Sequence, residues 1–227
     1  DENLSMLVIL SSIIAFIGIM DDYFDLPRII RFISQFIVVS FILFYSTQEI
    51  FSNPLYAILL IILGIAIINF VNFLDGIDGL VTGTMIVLLL GVISTISSSP
   101  VLYCLIGALS LFLLFNWNPA KFFMGDVGSL FLGAILFGLI VNTNSLDQSL
   151  RILLLATPLF GDAVSCIFRR LLAKENIFNA HKKHLYQRLV QNGMSHSKVS
   201  IFYIIPTSFL VFINYFFDLY ILLISCL

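Results

Sequence analysis

The chain has 227 residues, of which 60% are apolar and only 11% charged, and its mean hydropathy of +1.08 lies outside the range of soluble proteins. A membrane-crossing helix takes about 20 apolar residues, so the length allows up to roughly ten crossings and leaves no room for a sizeable soluble domain. Eleven basic against 13 acidic residues give a net charge of −2, too sparse and too balanced for a nucleic-acid surface.

Apolar runs fall at about 4–20, 29–46, 54–74, 80–97, 101–118, 128–142, 152–168 and 201–217, with a further run from 219. They predict an all-α polytopic integral membrane protein, a single domain over 1–227 with eight crossings and part of a ninth. Ser52-Asn53-Pro54, Ser97-Ser98-Ser99-Pro100 and Asn142-Thr143-Asn144-Ser145 supply turn chemistry between runs. The chain opens Asp1-Glu2, with no methionine and no basic segment before the first run, so no signal peptide is expected and a piece of a longer protein is. Cys104, Cys166 and Cys226 lie far apart inside apolar stretches and are expected to be packing residues rather than a disulfide framework or a zinc site.

If each run crosses once, the connections at 21–28, 69–79, 119–127 and 169–200 share one face. Arg28, Arg31, Lys121, Arg169, Arg170, Lys174, Lys182, Lys183, Arg188 and Lys198 fall there, against Arg151 alone on the other face, so the positive-inside rule makes the first face cytoplasmic. Asp21, Asp22, Asp25, Asp75, Asp78, Asp126 and Glu175 fall on that same face.

The first motif is Gly18-Ile19-Met20-Asp21-Asp22-Tyr23-Phe24-Asp25-Leu26-Pro27. Adjacent carboxylates at a membrane boundary are costly unless a cation compensates them, so they either hold a metal or form a solvated loop with Arg28 and Arg31 as counter-charges. In the second, Asn69, Asn72, Asp75 and Asp78 recur every third residue, a slowly rotating polar stripe at the end of an apolar helix. Gly76 and Gly79 would let that backbone turn sharply and approach a ligand, and the hard oxygens suit Mg²⁺; the bland alternative is a capped helix C-terminus. In the third, Gly125-Asp126-Val127-Gly128-Ser129 opens a crossing after Lys121, with Asp126 either a metal ligand beside phosphate-binding amides or an ordinary N-terminal cap.

The fourth motif, His181-Lys182-Lys183-His184-Leu185-Tyr186-Gln187-Arg188-Leu189, puts His181, His184 and Arg188 at i, i+3 and i+7 of one helix face. That face would present three donors to a diphosphate, or lie as a basic helix on anionic headgroups. Asp162, alone inside an apolar run, is either functional or paired with Arg169 or Arg170, and His196 is expected to be an ordinary loop residue.

Metal-binding carboxylates, flexible glycines and phosphate-binding cations on one face of an apolar protein are the equipment of phosphoryl transfer to a lipid. In their order and chemistry Asp21-Asp22 with Pro27, Asn72 with Asp75-Gly76-Ile77-Asp78-Gly79, Gly125-Asp126-Val127-Gly128-Ser129 and the histidine loop resemble the polyprenyl-phosphate N-acetylhexosamine-1-phosphate transferases. The resemblance implies transfer of a sugar 1-phosphate from a UDP-N-acetylhexosamine to undecaprenyl phosphate in the bacterial plasma membrane, with Mg²⁺, release of UMP and a cytoplasmic active site. Oligomeric state is left open, a homodimer among the options. Asp21 or Asp22 would deprotonate the lipid phosphate, Asp126 with Asp22 would hold the metal, and Asn72, Asp75 and Asp78 would organise the active site. His181, His184, Arg188 and Lys121 would join Asn72 in binding substrate. Many members carry three histidines in a tighter cluster, whereas here Lys182 and Lys183 fill the middle and Tyr186-Gln187-Arg188-Leu189 follows, a variant that resembles the branch that initiates O-antigen and capsule synthesis. Members usually carry further crossings before the Asp-Asp motif and a complete C-terminal helix, so this chain is expected to lack both.

A cation- or proton-coupled transporter is the main rival, and it predicts acids near crossing centres and on both faces. An alcohol phosphatidyltransferase would need further aspartates after Asp78, and residues 79–97 contain none.

Overall fold

The computed structural model describes residues 2–46, 53–96, 98–176, 182–217 and 219–226, and these are 82% helix with no strand. In chain order the helices are α1 (Glu2–Phe24), α2 (Arg28–Ser46), α3 (Pro54–Leu74), α4 (Leu80–Thr95), α5 (Pro100–Asn116), α6 (Gly125–Val141), α7 (Leu146–Leu155), α8 (Thr157–Leu172), α9 (Leu185–Gln191), α10 (His196–Phe216) and α11 (Leu219–Ser225). Helices satisfy their own backbone hydrogen bonds, which is what a chain with this hydropathy needs inside a bilayer. The expected turn chemistry sets several starts. The Asn53 side chain accepts from the Leu55 and Tyr56 amides before Pro54, Ser99 accepts from Val101 before Pro100, and Ser145 accepts from Gln148.

Helix α6 is the hub of the bundle. Its residues from Leu132 to Ile140 are all buried, and α1, α2, α3 and α7 pack around it. A second layer is built on α4, against α10, α5 and α7. The outward faces carry large exposed apolar side chains such as Phe16, Phe36, Ile62, Leu114 and Phe209, which fit a lipid surface. The protein is a multi-pass membrane protein.

The eight apolar runs expected to cross fall on α1 to α6, on α7 together with α8, and on α10. By length and apolarity α1, α2, α3 and α10 can each cross, and α7 with α8 makes a fifth, bent by 73°. The run at 152–168 is thus not one straight helix. Pro158 cannot donate to the preceding turn, and the chain restarts at Thr157 as a new helix. Helices α4, α5 and α6 are only 16 or 17 residues long, yet they link the same two ends of the bundle. Partner helices cover much of α4 and α6. At one end Asp126 meets Asp22, and Asn116 accepts from the Gly79 amide. At the other, Asn214 donates to Ser94 and Thr95, and Gln148 donates to the Thr95 carbonyl. The expected sorting of connections into two ends holds for the described residues. Of the cysteines only Cys166 is buried. Cys104 is exposed on α5, so it faces outward instead of packing.

The approach of α1 to α6 requires a residue without a side chain. A Cβ at Gly18 would lie 2.7 Å from backbone atoms of Asp126 and Val127, which a helix start cannot move aside. Gly18→Leu is expected to destabilise the fold by about 1–3 kcal/mol, seen as a lower apparent melting temperature in detergent. Gly107→Leu, at a position with nothing within 4 Å, is the control and should leave the midpoint unchanged.

Candidate functional site

The ends of α1, α3 and α6 converge on a group of carboxylates. Asp21 is buried in the last turn of α1, where its Oδ1 accepts from the Leu26 amide at 2.8 Å and its Oδ2 meets the Arg31 guanidinium at 2.9 Å. The same Arg31 nitrogen lies 3.6 Å from Asp126 Oδ2. Asp126 Oδ1 accepts from Asn72 Nδ2 at 2.8 Å, and that amide also donates to Ser129 Oγ at 3.0 Å. The exposed Asp22 accepts from the Asp126 backbone N–H at 3.3 Å, so a neighbouring helix satisfies an amide that the first turn of α6 leaves free. Asp126 is therefore no cap for its own helix. Its carboxylate faces Asn72 and Arg31, and the counter-charge expected from Arg31 is present.

The polar stripe on α3 divides among three neighbours because the helix ends at Leu74. Asn69 forms a reciprocal amide pair with the buried Gln35 of α2, with Nδ2 to Gln35 Oε1 at 2.7 Å. Asn72 serves α6. Asp75 follows the helix and feels both Asp126 and Asp22; burial first, then these two charges, push its carboxyl up to about 7.

Asp78 turns away from this group. Its Oδ2 accepts from Asn118 Nδ2 at 2.8 Å and from the Ala120 amide at 3.2 Å, its Oδ1 lies 3.2 Å from His196 Nδ1, and its backbone carbonyl accepts from Ser200. Burial alone would raise its carboxyl, but these hydrogen bonds outweigh burial and hold it below the ordinary range. Asp78 thus joins the 117–124 loop to the start of α10 instead of adding a fifth acid to the cluster, and His196 is its partner rather than an ordinary loop residue. Lys121 is exposed in that loop, its amide donating to the Phe115 carbonyl.

The histidine loop takes a form that its spacing does not predict. His181 lies outside the described residues. His184 is extended and precedes α9, so it shares no helical face with Arg188. Its buried ring stacks on Tyr186 and lies near Phe73. The cause is Asp162, whose Oδ1 accepts from the Leu185 amide at 2.7 Å and whose Oδ2 accepts from the Tyr186 amide at 3.2 Å, which starts the helix there. Asp162 is not an Arg169 or Arg170 partner. Arg170 pairs with Glu175, and Arg169 donates to the Ser165 and Lys183 carbonyls. Tyr186 Oη reaches the Phe73 carbonyl at 3.0 Å, passing over Gly76, where a Cβ would fall 2.1 Å from that oxygen. Gly76 therefore admits a tyrosine of this same chain.

Beside α9 a cavity of about 200 Å³ is lined by Cys166, Arg169, Arg170, Glu175, Lys183 and the exposed Arg188. Four of its six residues are cations, and its one acid is held below its ordinary range by Lys183. Anions are its natural occupants. At the carboxylate group, two hard-oxygen side chains, Asp22 and Asp126, suit Mg²⁺, which takes one or two carboxylates and completes its shell with water and phosphate oxygens. Among the described residues no three His, Cys, Asp or Glu side chains form an all-protein metal cage, and Mg²⁺ does not need one.

Because the carboxyl of Asp75 rises from 3.8 to about 7 on folding, its proton is held more tightly in the folded chain. Its contribution to stability is complete below its unfolded value and is lost as pH rises through about 7. Asp75→Asn is therefore expected to gain apparent melting temperature relative to the parent between about pH 5 and pH 8 in metal-free detergent buffer. A gap that stays constant over that range would count against this electrostatic account.

Residues 4–144 match the family model described as Glycosyl transferase family 4. A probable undecaprenyl-phosphate N-acetylglucosaminyl 1-phosphate transferase of Bacillus subtilis (strain 168) is 40% identical over 100 residues, 41% of this chain and 28% of that protein. A Saccharolobus solfataricus protein named for UDP-N-acetylglucosamine–dolichyl-phosphate N-acetylglucosaminephosphotransferase activity is 35% identical over 155 residues, 60% of this chain and 48% of that protein. A phospho-N-acetylmuramoyl-pentapeptide-transferase of Streptococcus equi subsp. zooepidemicus is 69% identical over a 32-residue stretch, 14% of this chain and 10% of that protein. The matches span less than half the length of these relatives. With more than half of its residues matched by the family model, the chain belongs to glycosyl transferase family 4.

Proposed function

We propose that the protein transfers the N-acetylhexosamine 1-phosphate of a UDP-sugar to undecaprenyl phosphate at the cytoplasmic face of a bacterial plasma membrane, releasing UMP and initiating a cell-surface polysaccharide of the O-antigen, capsule or teichoic acid type. The observation that carries this reading is the convergence of Asp21, Asp22, Asn72, Asp126 and Arg31 at one end of an apolar bundle. A lipid phosphate at the bilayer edge would meet them there. The names of the Bacillus and Saccharolobus relatives, with an undecaprenyl or dolichyl phosphate and an N-acetylglucosamine phosphate, support the same substrate classes.

An oxygen of the lipid phosphate attacks the β-phosphorus of the UDP-sugar, the bond from that phosphorus to the bridging oxygen breaks, and UMP leaves with the bridging oxygen. Two anions must approach each other, so charge compensation is the main task of the site. Asp126 would hold Mg²⁺, which supplies neutralisation of phosphate charge and polarisation of the phosphorus–oxygen bonds. Asp21 is committed to Arg31 and to the Leu26 amide, so it holds the guanidinium beside Asp126. The exposed Asp22 is the acid better placed to take a proton from an arriving lipid phosphate. Asn72 orients Asp126, and Asp75 lends an acid whose charge depends on what binds nearby. Lys183 and Arg188 answer the diphosphate of the nucleotide sugar. The transporter alternative loses its main support, because Asp162 is occupied in capping α9 instead of lining a path.

The full-length form in membranes, given undecaprenyl phosphate and a panel of UDP-N-acetylhexosamines, is expected to release UMP only with lipid and Mg²⁺ present. Asp126→Asn and chelation should each reduce release to background, and no aspartyl-phosphate should be trapped. Folded protein that releases no UMP with any sugar of the panel would sink the proposal.

A further inference from the structure

Asp162 is a carboxylate in a helix of a membrane protein, only 4% exposed and not part of the Asp21–Asp126 group. A buried acid of this kind is costly without compensation. Its compensation comes from three hydrogen-bond donors on two other segments. Besides the Leu185 and Tyr186 amides, the Tyr203 hydroxyl of α10 donates to Oδ2 at 2.7 Å, and His184 Nδ1 lies 3.5 Å from Oδ1. Both oxygens are used, so the group works as a carboxylate and not merely as a polar filler.

The start of α9 is thereby tied to α8 and α10 at one point, and everything beyond it follows. One residue on, Tyr186 reaches the α3 carbonyl of Phe73, two residues before Asp75. Gln187 supports the tyrosine with a hydrogen bond to its Oη at 3.0 Å and accepts from the His184 amide at 3.1 Å. Arg188 then stands on the basic cavity. A shift at Asp162 moves the tyrosine that touches the acid-bearing end of α3 and the arginine that meets anions by the same rigid turn of helix.

We propose that Asp162 is a positioning residue of the transfer reaction. Without touching substrate, it sets α9 so that the cation at Arg188 holds the nucleotide-sugar diphosphate at the reach of the Asp126 group. The inference rests on the transferase reading for the identity of the anion, and on geometry alone for the setting of α9.

Asp162→Asn keeps the volume but replaces one acceptor oxygen by an NH₂ group, which then opposes an amide N–H or the Tyr203 hydroxyl; a pure packing role would not notice the change. Tyr203→Phe removes a single donor and provides the milder variant if the asparagine chain does not fold. In the full-length protein in detergent with lipid, the KM for the UDP-sugar that wild type accepts should rise about tenfold in Asp162→Asn and less in Tyr203→Phe. The KM for undecaprenyl phosphate should stay within about twofold, since the lipid meets the other group of side chains. Hydrogen exchange at 185–190 should accelerate in both variants while α6 amides keep their protection. Unchanged UDP-sugar KM with unchanged exchange would overturn the proposal. So would a loss shared equally by both KM values together with a lower melting temperature, which marks a structural residue only. If wild type releases no UMP with any sugar, the transferase reading has failed, and the exchange measurement still decides whether Asp162 sets α9.

Discussion

A carboxylate at the edge of a bilayer persists only when its surroundings compensate it, and in this protein that constraint is met for Asp126 by its contacts with two other helices. Asn72 donates from α3, and Arg31 stands across from α2. Helix α1 supplies Asp22, which takes the free amide at the start of α6. These bonds form only if α1, α2 and α3 approach α6 closely at that end, and the close contact at Gly18 is what the approach of α1 requires. The buried length of α6 below it supplies the apolar contact that holds the four helices together. Packing and site are therefore one arrangement, with dispersion and burial along the helices and charge compensation at their end.

The bundle separates its charges by sign. Asp21, Asp22, Asp75 and Asp126 gather where α1, α3 and α6 end, while Arg169, Arg170, Lys183 and Arg188 gather around a cavity beside α8 and α9. Between them lies the short bridge of Tyr186 on the Phe73 carbonyl, with Asp162 anchoring the turn from which the tyrosine projects. The reaction proposed for this site joins a lipid anion to a nucleotide anion, and a divided site would suit it: in that proposal one part would take a metal and the other phosphate charge directly. A third group, Asp78 with Asn118, His196 and Ser200, ties the 117–124 loop to α10 and so closes the same end of the bundle from the far side.

Hydropathy alone carried the all-helical membrane class, the chain order of the helices and the side on which the chemistry gathers, because apolar runs of this length have no other stable form in a bilayer. The Asp-Asp, Asn-Asp and Gly-Asp motifs also stood out as unusual in such a chain, and Asn72, Asp126, Asp21 and Asp22 do come together. Arg31 was visible as a counter-charge. What spacing could not say is which way each polar side chain turns. A three-residue repeat drifts around a helix, and α3 stops at Leu74, so Asn69, Asn72 and Asp78 face different partners. The helical face expected through His184 and Arg188 failed for a related reason: an acid 22 positions before His184 in sequence starts α9 after the histidine.

Composition and periodicity thus determined the bilayer as solvent, the helices and the supply of acids and cations at one face, since these depend on residue type and local order. Tertiary structure decided that Asp126 belongs with Asn72 and Arg31, that Asp78 belongs with His196, that Asp162 holds α9, and that α7 and α8 bend apart. Each of these is a contact between segments far apart in the chain or a break whose angle neighbouring helices set. A hydrogen bond depends on distance and direction in space, which no one-dimensional spacing contains.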